Sequence, residues 1–300
     1  MERCFASCLA QTYQDFELIF VNDSSEDETL AKIKDFQIRD SRVKLIDLKI
    51  NLGTFHARKI GYKSSKGDYI FFLDPDDEIA PDFLRTMLEQ MTLKSADMVF
   101  CKLDVRPKKI YRADVEVPND CVKQEILKKT IIDIKFIPKG SGGKLYRKSL
   151  VNNIYRSLCF VNTRFVYAED VVFFFAALIN SNIISSVKEK LYFYYINTSS
   201  ITNSRDINKI NNNIDQIKMA INFLEMLAAD QNECTKKASA VLINSLLLDK
   251  KYLERINCIL SRNNIDYLYK TLEIIRFEKG LKNFIRLFVF FISLGSVKLR

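Results

Sequence analysis

The stretch that most constrains this chain is an apolar run, Tyr69-Ile70-Phe71-Phe72-Leu73, that stops at three carboxylates, Asp74, Asp76 and Asp77. A run of about five β-prone apolar residues between a glycine and an Asp/Pro cluster predicts a strand buried on both faces. In an open α/β sheet, ligands bind at the carboxyl ends of such strands. Three acidic groups at one edge repel one another, and a divalent cation relieves that repulsion. Asp-x-Asp at a strand end is a hard-oxygen donor set suited to Mg²⁺ or Mn²⁺, ions that keep positions open for diphosphate oxygens. The purely structural alternative is a polar turn closed by Pro75, with Asp77 or Glu78 favouring the start of a helix.

Composition narrows the partners such an edge serves. The chain has 300 residues, 48% hydrophobic and 28% charged, enough for one sizeable core with a smaller appendage and unlike a disordered chain. A net charge of +9 suits nucleic acid, an anionic membrane surface or a polyanionic substrate. No aromatic-basic signature or zinc spacing supports nucleic acid. Seven cysteines without a Cys-x-x-Cys pair read as reduced thiols, with Cys4 and Cys8 on one helix face as core residues. The single histidine, His56, excludes a His-rich metal site and argues against a Ser-His-Asp triad. Catalysis must therefore rest on carboxylates. Met1-Glu2-Arg3 leads into a mixed helical pattern with no long apolar core, so the expected location is the cytoplasm. The tail segment from Leu287 to Val297 is interrupted by Ser293, Gly295 and Ser296 and is shorter than the roughly 20 residues of a spanning helix.

Taken in order, the chain alternates strand and helix. A short helix over Cys4 to Ala10 precedes a strand, Phe16 to Val21, that delivers Asn22-Asp23 to its carboxyl end. Ser25 and Glu28 have capping-box spacing, which predicts a helix from about Asp27 to Gln37. A third short strand covers Val43 to Ile46. After Asn51-Leu52-Gly53, a helix carries Arg58 near its beginning, where it reaches a phosphate or simply faces solvent. The Tyr69 strand, a helix from Pro81 and a strand from Met98 to Leu103 follow. This alternation is the signature of a mostly parallel sheet with right-handed crossovers. Arg106 to Val117 reads as an extended excursion and Val122 to Ile131 as helix. The glycine cluster Lys139-Gly140-Ser141-Gly142-Gly143 is a loop over a substrate or a turn needing positive φ. Glu169-Asp170 opens an apolar helix through Leu178, where acidic residues suit the helix macrodipole or supply a base. Two strands are expected, Ile183 to Val187 and Leu191 to Ile196, and helices from about Asp206. We place a soft boundary near Ser204, dividing residues 1–204 from a helical region, 205–300.

At this point the first two hundred residues resemble family 2 glycosyltransferases of the GT-A fold, the bacterial type that builds surface polysaccharide. Gln11 to Ser25 is similar to the family's nucleotide-binding strand and turn, whose Asp, here Asp23, contacts the base. Ala57-Arg58 before Gly61, then Lys66-Gly67-Asp68-Tyr69, resembles the stretch leading to the metal site, and Asp74-Pro75-Asp76-Asp77 matches the family's Asp-x-Asp. Lys144-Leu145-Tyr146 and Glu169-Asp170 resemble the acceptor-side motif in which Asp is the usual base, and Tyr194 to Thr202 the element after it. Lys59 replaces an Asn usual after the Arg. The family also begins with an apolar strand, expected at the sheet's centre and part of the nucleotide pocket, with no counterpart before Met1. Two readings follow: a start that lies upstream, or a shortened, inactive copy.

The resemblance implies inverting sugar transfer from a nucleotide-diphosphate donor, most simply a UDP-sugar, to a hydroxyl of a glycan or lipid-linked acceptor. Asp76 with Asp74 would hold Mn²⁺ or Mg²⁺ against the leaving diphosphate, Arg58 would add a charge-assisted contact, and Asp23 would accept from the base. Asp170 is the expected general base, with Glu169 its substitute. Two alternatives stand beside this: a haloacid-dehalogenase-type phosphatase, whose opening motif is also an apolar strand ending in Asp-x-Asp, and a non-catalytic nucleotide-binding remnant. In the tail, Ile274, Ile275, Phe277, Leu281, Phe284, Ile285, Phe288 and Phe291 recur at helical spacing among Arg276, Lys279, Lys282 and Arg286. That stripe packs on the rest of the protein or lies peripherally on an anionic cytoplasmic membrane face.

Overall fold

The computed structural model describes residues 1–107, 118–133, 139–196, 206–261 and 264–277. It is an α/β structure with two sheets and a helical C-terminal part. Helix α1 (Glu2–Leu9) leads into β1 (Leu18–Asn22), α2 (Thr29–Arg39), β2 (Val43–Asp47) and α3 (Thr54–Ser64). Strands β3 (Tyr69–Phe71) and β4 (Glu78–Ile79) flank the acidic turn. They are followed by α4 (Phe83–Leu93), β5 (Met98–Arg106), β6 (Cys121–Val122), and α5 (Lys123–Leu127) continued by a π-helical turn. Then come β7 (Lys144–Arg147), α6 (Lys148–Ser157), α7 (Glu169–Asn180) and β8 (Ile183–Tyr195). Three helices close the described chain, α8 (Ile207–Ala228), α9 (Glu233–Leu260) and α10 (Asn264–Phe277).

The larger sheet has the order β3-β7-β5-β8-β4, with β6 also on β8, while β1 and β2 form a separate parallel pair. The two longest ladders, β1–β2 and β5–β8, are parallel, and the four antiparallel ladders are two or three residues each. Alternation of side chains decides the layers. Met98 and Phe100 of β5 enter the core shared with α6, α7, α8 and α9, while Val99 and Cys101 enter the core under α4. On α4, Phe83, Met87 and Met91 repeat every fourth residue and are fully buried, the apolar stripe of an amphipathic helix.

Several expectations are modified by packing. Ile70 is buried but Tyr69 and Phe71 are only half-buried, because β3 has a ladder partner, β7, on one side alone among the described residues. Likewise, among the described residues β1 pairs only with β2, and its residues Leu18 to Val21 are half-buried. The two strands still meet at their starts, where the Glu17 carboxylate accepts the Lys66 and Gly67 N–H groups at 2.5 and 3.2 Å. The capping box at Ser25 does not form: α2 begins at Thr29, whose N–H is held by the Asp27 carboxylate at 3.0 Å. The two strands expected between Ile183 and Ile196 are one strand, β8, whose pairing with β5 changes register on either side of Lys102.

The C-terminal helices share the main core, with Ile214, Ile217 and Leu224 of α8 and Leu242 and Leu246 of α9 packed beside Val172 and Phe175 of α7. Ile274 of the apolar tail stripe is fully buried and Ile275 half-buried. The stripe from Leu281 onward, the Arg276 and Phe277 side chains, and Ser200-Ile201-Thr202 lie outside what is described. Among the described residues, no helix is long and apolar enough to cross a membrane.

Candidate active site

Arg58 is the centre of the site. Helix α3 begins after Gly53, which has φ +85° and leaves no room for a Cβ, since one would lie 2.8 Å from Val166 Cγ2. One turn into that helix, the Arg58 side chain is four-fifths buried. Its Nη1 donates to Glu169 Oε1 at 2.6 Å, and its Nη2 donates to Asp74 Oδ1 at 2.8 Å and Ser141 Oγ at 3.1 Å. Burial opposes the guanidinium charge, but Asp74 and Glu169 more than offset it and hold Arg58 above its ordinary pKa. One arginine thus joins the acidic turn after β3 to the first residue of α7.

The two acidic residues at the start of α7 are in different states of engagement. Both Glu169 oxygens are taken, Oε1 by Arg58 and Oε2 by the Asp170 N–H. Asp170 Oδ1 accepts the Val171 N–H at 2.9 Å, and Oδ2 has no hydrogen bond with the described residues. Burial pushes Glu169 up to about 8 against the pull of Arg58, with Asp170 adding to the rise. Burial also raises Asp170, opposed by Arg58, Lys139 and Lys144. Ala168, before them, sits at φ +64°, a left-handed conformation uncommon for alanine.

The acidic turn divides its carboxylates three ways. Asp77 is a structural post: Tyr192 Oη donates to it at 2.5 Å and the Tyr195 N–H at 2.9 Å, and burial raises it to about 6 despite both bonds. Asp74 is paired with Arg58. Asp76 keeps its carboxylate free of hydrogen bonds with the described residues, while its carbonyl accepts Arg3 Nη2 at 2.7 Å. The Arg3 guanidinium lies 3.5 Å over the Tyr195 ring and pairs with Glu78 at 2.6 Å, so α1 braces the turn from outside. Among the described residues no three His, Cys, Asp or Glu side chains converge on one metal position. Asp76 and Asp74, whose Oδ2 accepts from Ser141 Oγ at 3.4 Å, are two hard donors, a set that fits a divalent ion drawing its remaining ligands from diphosphate and water.

Asp23 stands apart from this cluster. Its carboxylate accepts the Leu52 N–H at 2.7 Å and the Gly53 N–H at 2.8 Å, fixing the start of α3 and hence the direction in which Arg58 leaves it. The structure therefore brings Arg58, Asp74 and Glu169 into contact, places Asp170 and Asp76 at their flanks, and leaves Asp23 at the N-terminal start of α3, about one turn before Arg58. Sequence reasoning missed Ser141, Lys144, Tyr192 and Arg3. The first two lie in the glycine cluster, read as a substrate loop or a positive-φ turn, and in the stretch that resembles the acceptor-side motif, neither residue with a role of its own; nothing in the sequence marks the last two.

Comparison with known proteins identifies the family and the fold. The sequence profile described as glycosyl transferase family 2 matches residues 1–154. An uncharacterized glycosyltransferase of Haemophilus influenzae is 41% identical over 103 residues, which is 33% of this chain and 41% of that protein. The poly(ribitol-phosphate) beta-N-acetylglucosaminyltransferase TarP of Staphylococcus aureus is 30% identical over 221 residues, 71% of this chain and 64% of that protein. The chain therefore spans less than two thirds of the length of either relative. In fold, it is similar to S. aureus TarS 1-349 in complex with UDP-GlcNAc, with TM-score 0.55 at 15% identity over 100% of this chain and 89% of that one. It is similar also to the Pyrobaculum calidifontis mannosyltransferase PcManGT in complex with GDP-Man and Mn²⁺, with TM-score 0.57 at 13% identity over 99% and 76%. The phosphatase alternative finds no support in these matches. The acidic turn after β3, the arginine of α3 and the acidic start of α7 are carried on a GT-A fold, and the chain belongs to glycosyl transferase family 2.

Proposed function

We propose that this protein transfers a sugar, with inversion, from a nucleoside-diphosphate donor, a UDP-sugar by preference, to a hydroxyl of a glycan or lipid-linked acceptor in surface-polysaccharide synthesis. The observation that carries the reading is the Arg58 bridge, which leaves two acidic groups uncommitted on either side of it: Asp76 and the Oδ2 of Asp170. On the acceptor side, Asp170 Oδ2 takes the proton as the acceptor oxygen attacks the anomeric carbon, and the bond to the departing phosphate oxygen breaks with its electron pair. The raised pKa of Asp170 strengthens it as a base. Glu169, with both oxygens engaged, orients Arg58 and the first turn of α7. On the donor side, Asp76, with Asp74, would hold Mn²⁺ or Mg²⁺, which when bound neutralises charge on the leaving diphosphate. Arg58 retains two unengaged N–H groups for a phosphate oxygen, and Asp23 accepts from the nucleobase with its remaining lone pairs.

Support for the donor and acceptor classes comes from what the similar proteins are named for, UDP-GlcNAc in TarS and a ribitol-phosphate polymer in TarP. The test is transfer and hydrolysis of UDP-sugars by the 300-residue chain with Mn²⁺, beside Asp170→Asn and Asp76→Ala. Asp170→Asn is expected to abolish transfer and spare UDP binding, and Asp76→Ala to weaken Mn²⁺-dependent UDP binding in calorimetry. Wild-type chain that binds UDP without turnover would make it a nucleotide-binding remnant. Full turnover in Asp170→Asn would move the base to Glu169.

A peripheral membrane position is a further part of this reading. Ile265, Tyr269 and Leu272 are exposed along one face of α10, Ile265 by 82%, opposite the buried Ile274. That face and the net charge of +9 suit an anionic bilayer surface. Flotation with vesicles containing anionic lipid should recover the wild-type chain in a salt-sensitive manner and lose the Ile265→Ser/Leu272→Ser variant; equal recovery of both would exclude α10 as the contact.

A further inference from the structure

The residues between the acidic turn and the acidic start of α7 are spanned by one short segment that the chemistry above does not use. Lys139 Nζ donates to Ser245 Oγ at 2.8 Å and lies 3.3 Å from Asp249 Oδ2, both on α9. Gly140 passes close to Asp170, since a Cβ there would stand 3.9 Å from Asp170 Oδ2. Ser141 Oγ contacts Arg58 and lies 3.4 Å from Asp74 Oδ2. Gly142 lies against Tyr192, the residue that holds Asp77, so closely that a Cβ would be 2.7 Å from its ring. Gly140, Ser141 and Gly142 thus lie against different parts of the site, while Lys139 ties the segment to α9.

What fixes the segment is Lys144. Its side chain is 2% exposed, and its Nζ donates to the carbonyls of Gly140 and Gly142, folding the segment back over the ammonium. The rings of Phe100 and Phe174 lie 5.5 and 5.4 Å from that nitrogen. A buried ammonium is tolerated only with such acceptors and π-faces around it. Burial lowers its pKa to about 8, opposed by Asp170 on α7 and Cys101 on β5.

We propose that Lys139–Gly143 is a positioning strap, anchored by the buried Lys144 ammonium, that sets the donor-side turn carrying Asp74 and Asp76 against the acceptor-side base on α7. The assignment of those two sides rests on the function proposed above. The geometry of the strap does not, and it can be read without turnover. Lys144→Met keeps the length and apolar stem of the side chain and removes the anchor. Hydrogen exchange on the full chain should then quicken about tenfold both at the Asp77 amide and at the Asp170 and Val171 amides, with the buried amides of α4 unchanged. In transfer assays, kcat should fall at least about tenfold, as for a site loosened by a fraction of an ångström, with the UDP Kd within about threefold. Gly142→Ala, which meets the Tyr192 ring, should reproduce the kcat loss by a second route. Exchange that quickens only within 139–143, or at one side of the site alone, overturns the strap. So does quickened exchange on both sides with kcat unmoved. Absence of any transfer by the wild-type chain would defeat the function and leave the exchange result to decide the strap.

Discussion

Arg58 shows how much of a site one buried charge organises. Its removal leaves Glu169, 8% exposed, without a cation in a low-dielectric environment. At pH 8.5, where Glu169 is ionising, Arg58→Ala is therefore expected to lower stability in urea unfolding, most of the loss coming from the Glu169 side because Asp74 is 35% exposed and partly screened by solvent; at pH 5, where Glu169 is protonated, the loss should be smaller. Arg58→Lys should recover less than half of the loss at pH 8.5, since one ammonium cannot span two carboxylates and a hydroxyl. The titration of Glu169 has its own signature. Its folded pKa is raised from 4.5 to about 8, so the stability it contributes is complete below pH 4.5 and lost as pH rises through 8. Unfolding at pH 5 and pH 8.5 should show the wild-type chain less stable at the higher value and a smaller difference in Glu169→Gln. Asp170→Asn removes a neighbouring negative charge, so carboxyl NMR should find the Glu169 pKa below 8 in that variant; a value that stays put would show burial alone to be responsible. From the sequence, the identities of these acids were legible but not their division of labour, because a free oxygen is a property of neighbours.

At the scale of elements, α3 connects Asp23, at its N-terminal start, to the charged centre at Arg58. Asp23 serves its N-terminal turn with both carboxylate oxygens, a structural role besides the base contact proposed for it. Asp23→Ala should therefore lower stability by about 1–3 kcal/mol, the cost of two orphaned N–H groups at a helix start, together with any loss of UDP affinity. An unchanged melting temperature with weakened UDP binding would return Asp23 to a purely ligand-facing role. The strand–helix alternation that locates α3, β3 and α7 was readable because apolar periodicity is local. The failed capping box at Ser25 and the fusion of two expected strands into β8 were not: a cap depends on the approach angle of the chain, and the length of β8 is set by its long parallel ladder with β5.

Over the whole molecule, the C-terminal helices are part of the same core as the sheet rather than an ornament on it. Gln216 of α8 accepts the Val166 N–H at 2.9 Å and donates to the Arg164 carbonyl at 3.1 Å, steadying the segment that leads to Glu169. A chain ending before Ile207 would expose the faces of α7 covered by Ile214, Ile217 and Leu224, each worth about 1.5–3 kcal/mol when buried. It is expected to bind a hydrophobic dye and lose cooperative thermal unfolding; a sharp transition in that truncated chain would show residues 1–206 to be self-sufficient. What the sequence determined by itself is local: an apolar strand that ends in acids, an arginine early in a helix, an acidic helix start, and the α/β order that sets all three at one end of the sheet. The tertiary structure alone decided which partners these groups have. Arg58 meets Glu169 across 111 residues and Asp77 meets Tyr192 across 115, and no local pattern encodes such pairings. They arise because burial makes every charge find a partner, and only the folded core determines which partner is within reach.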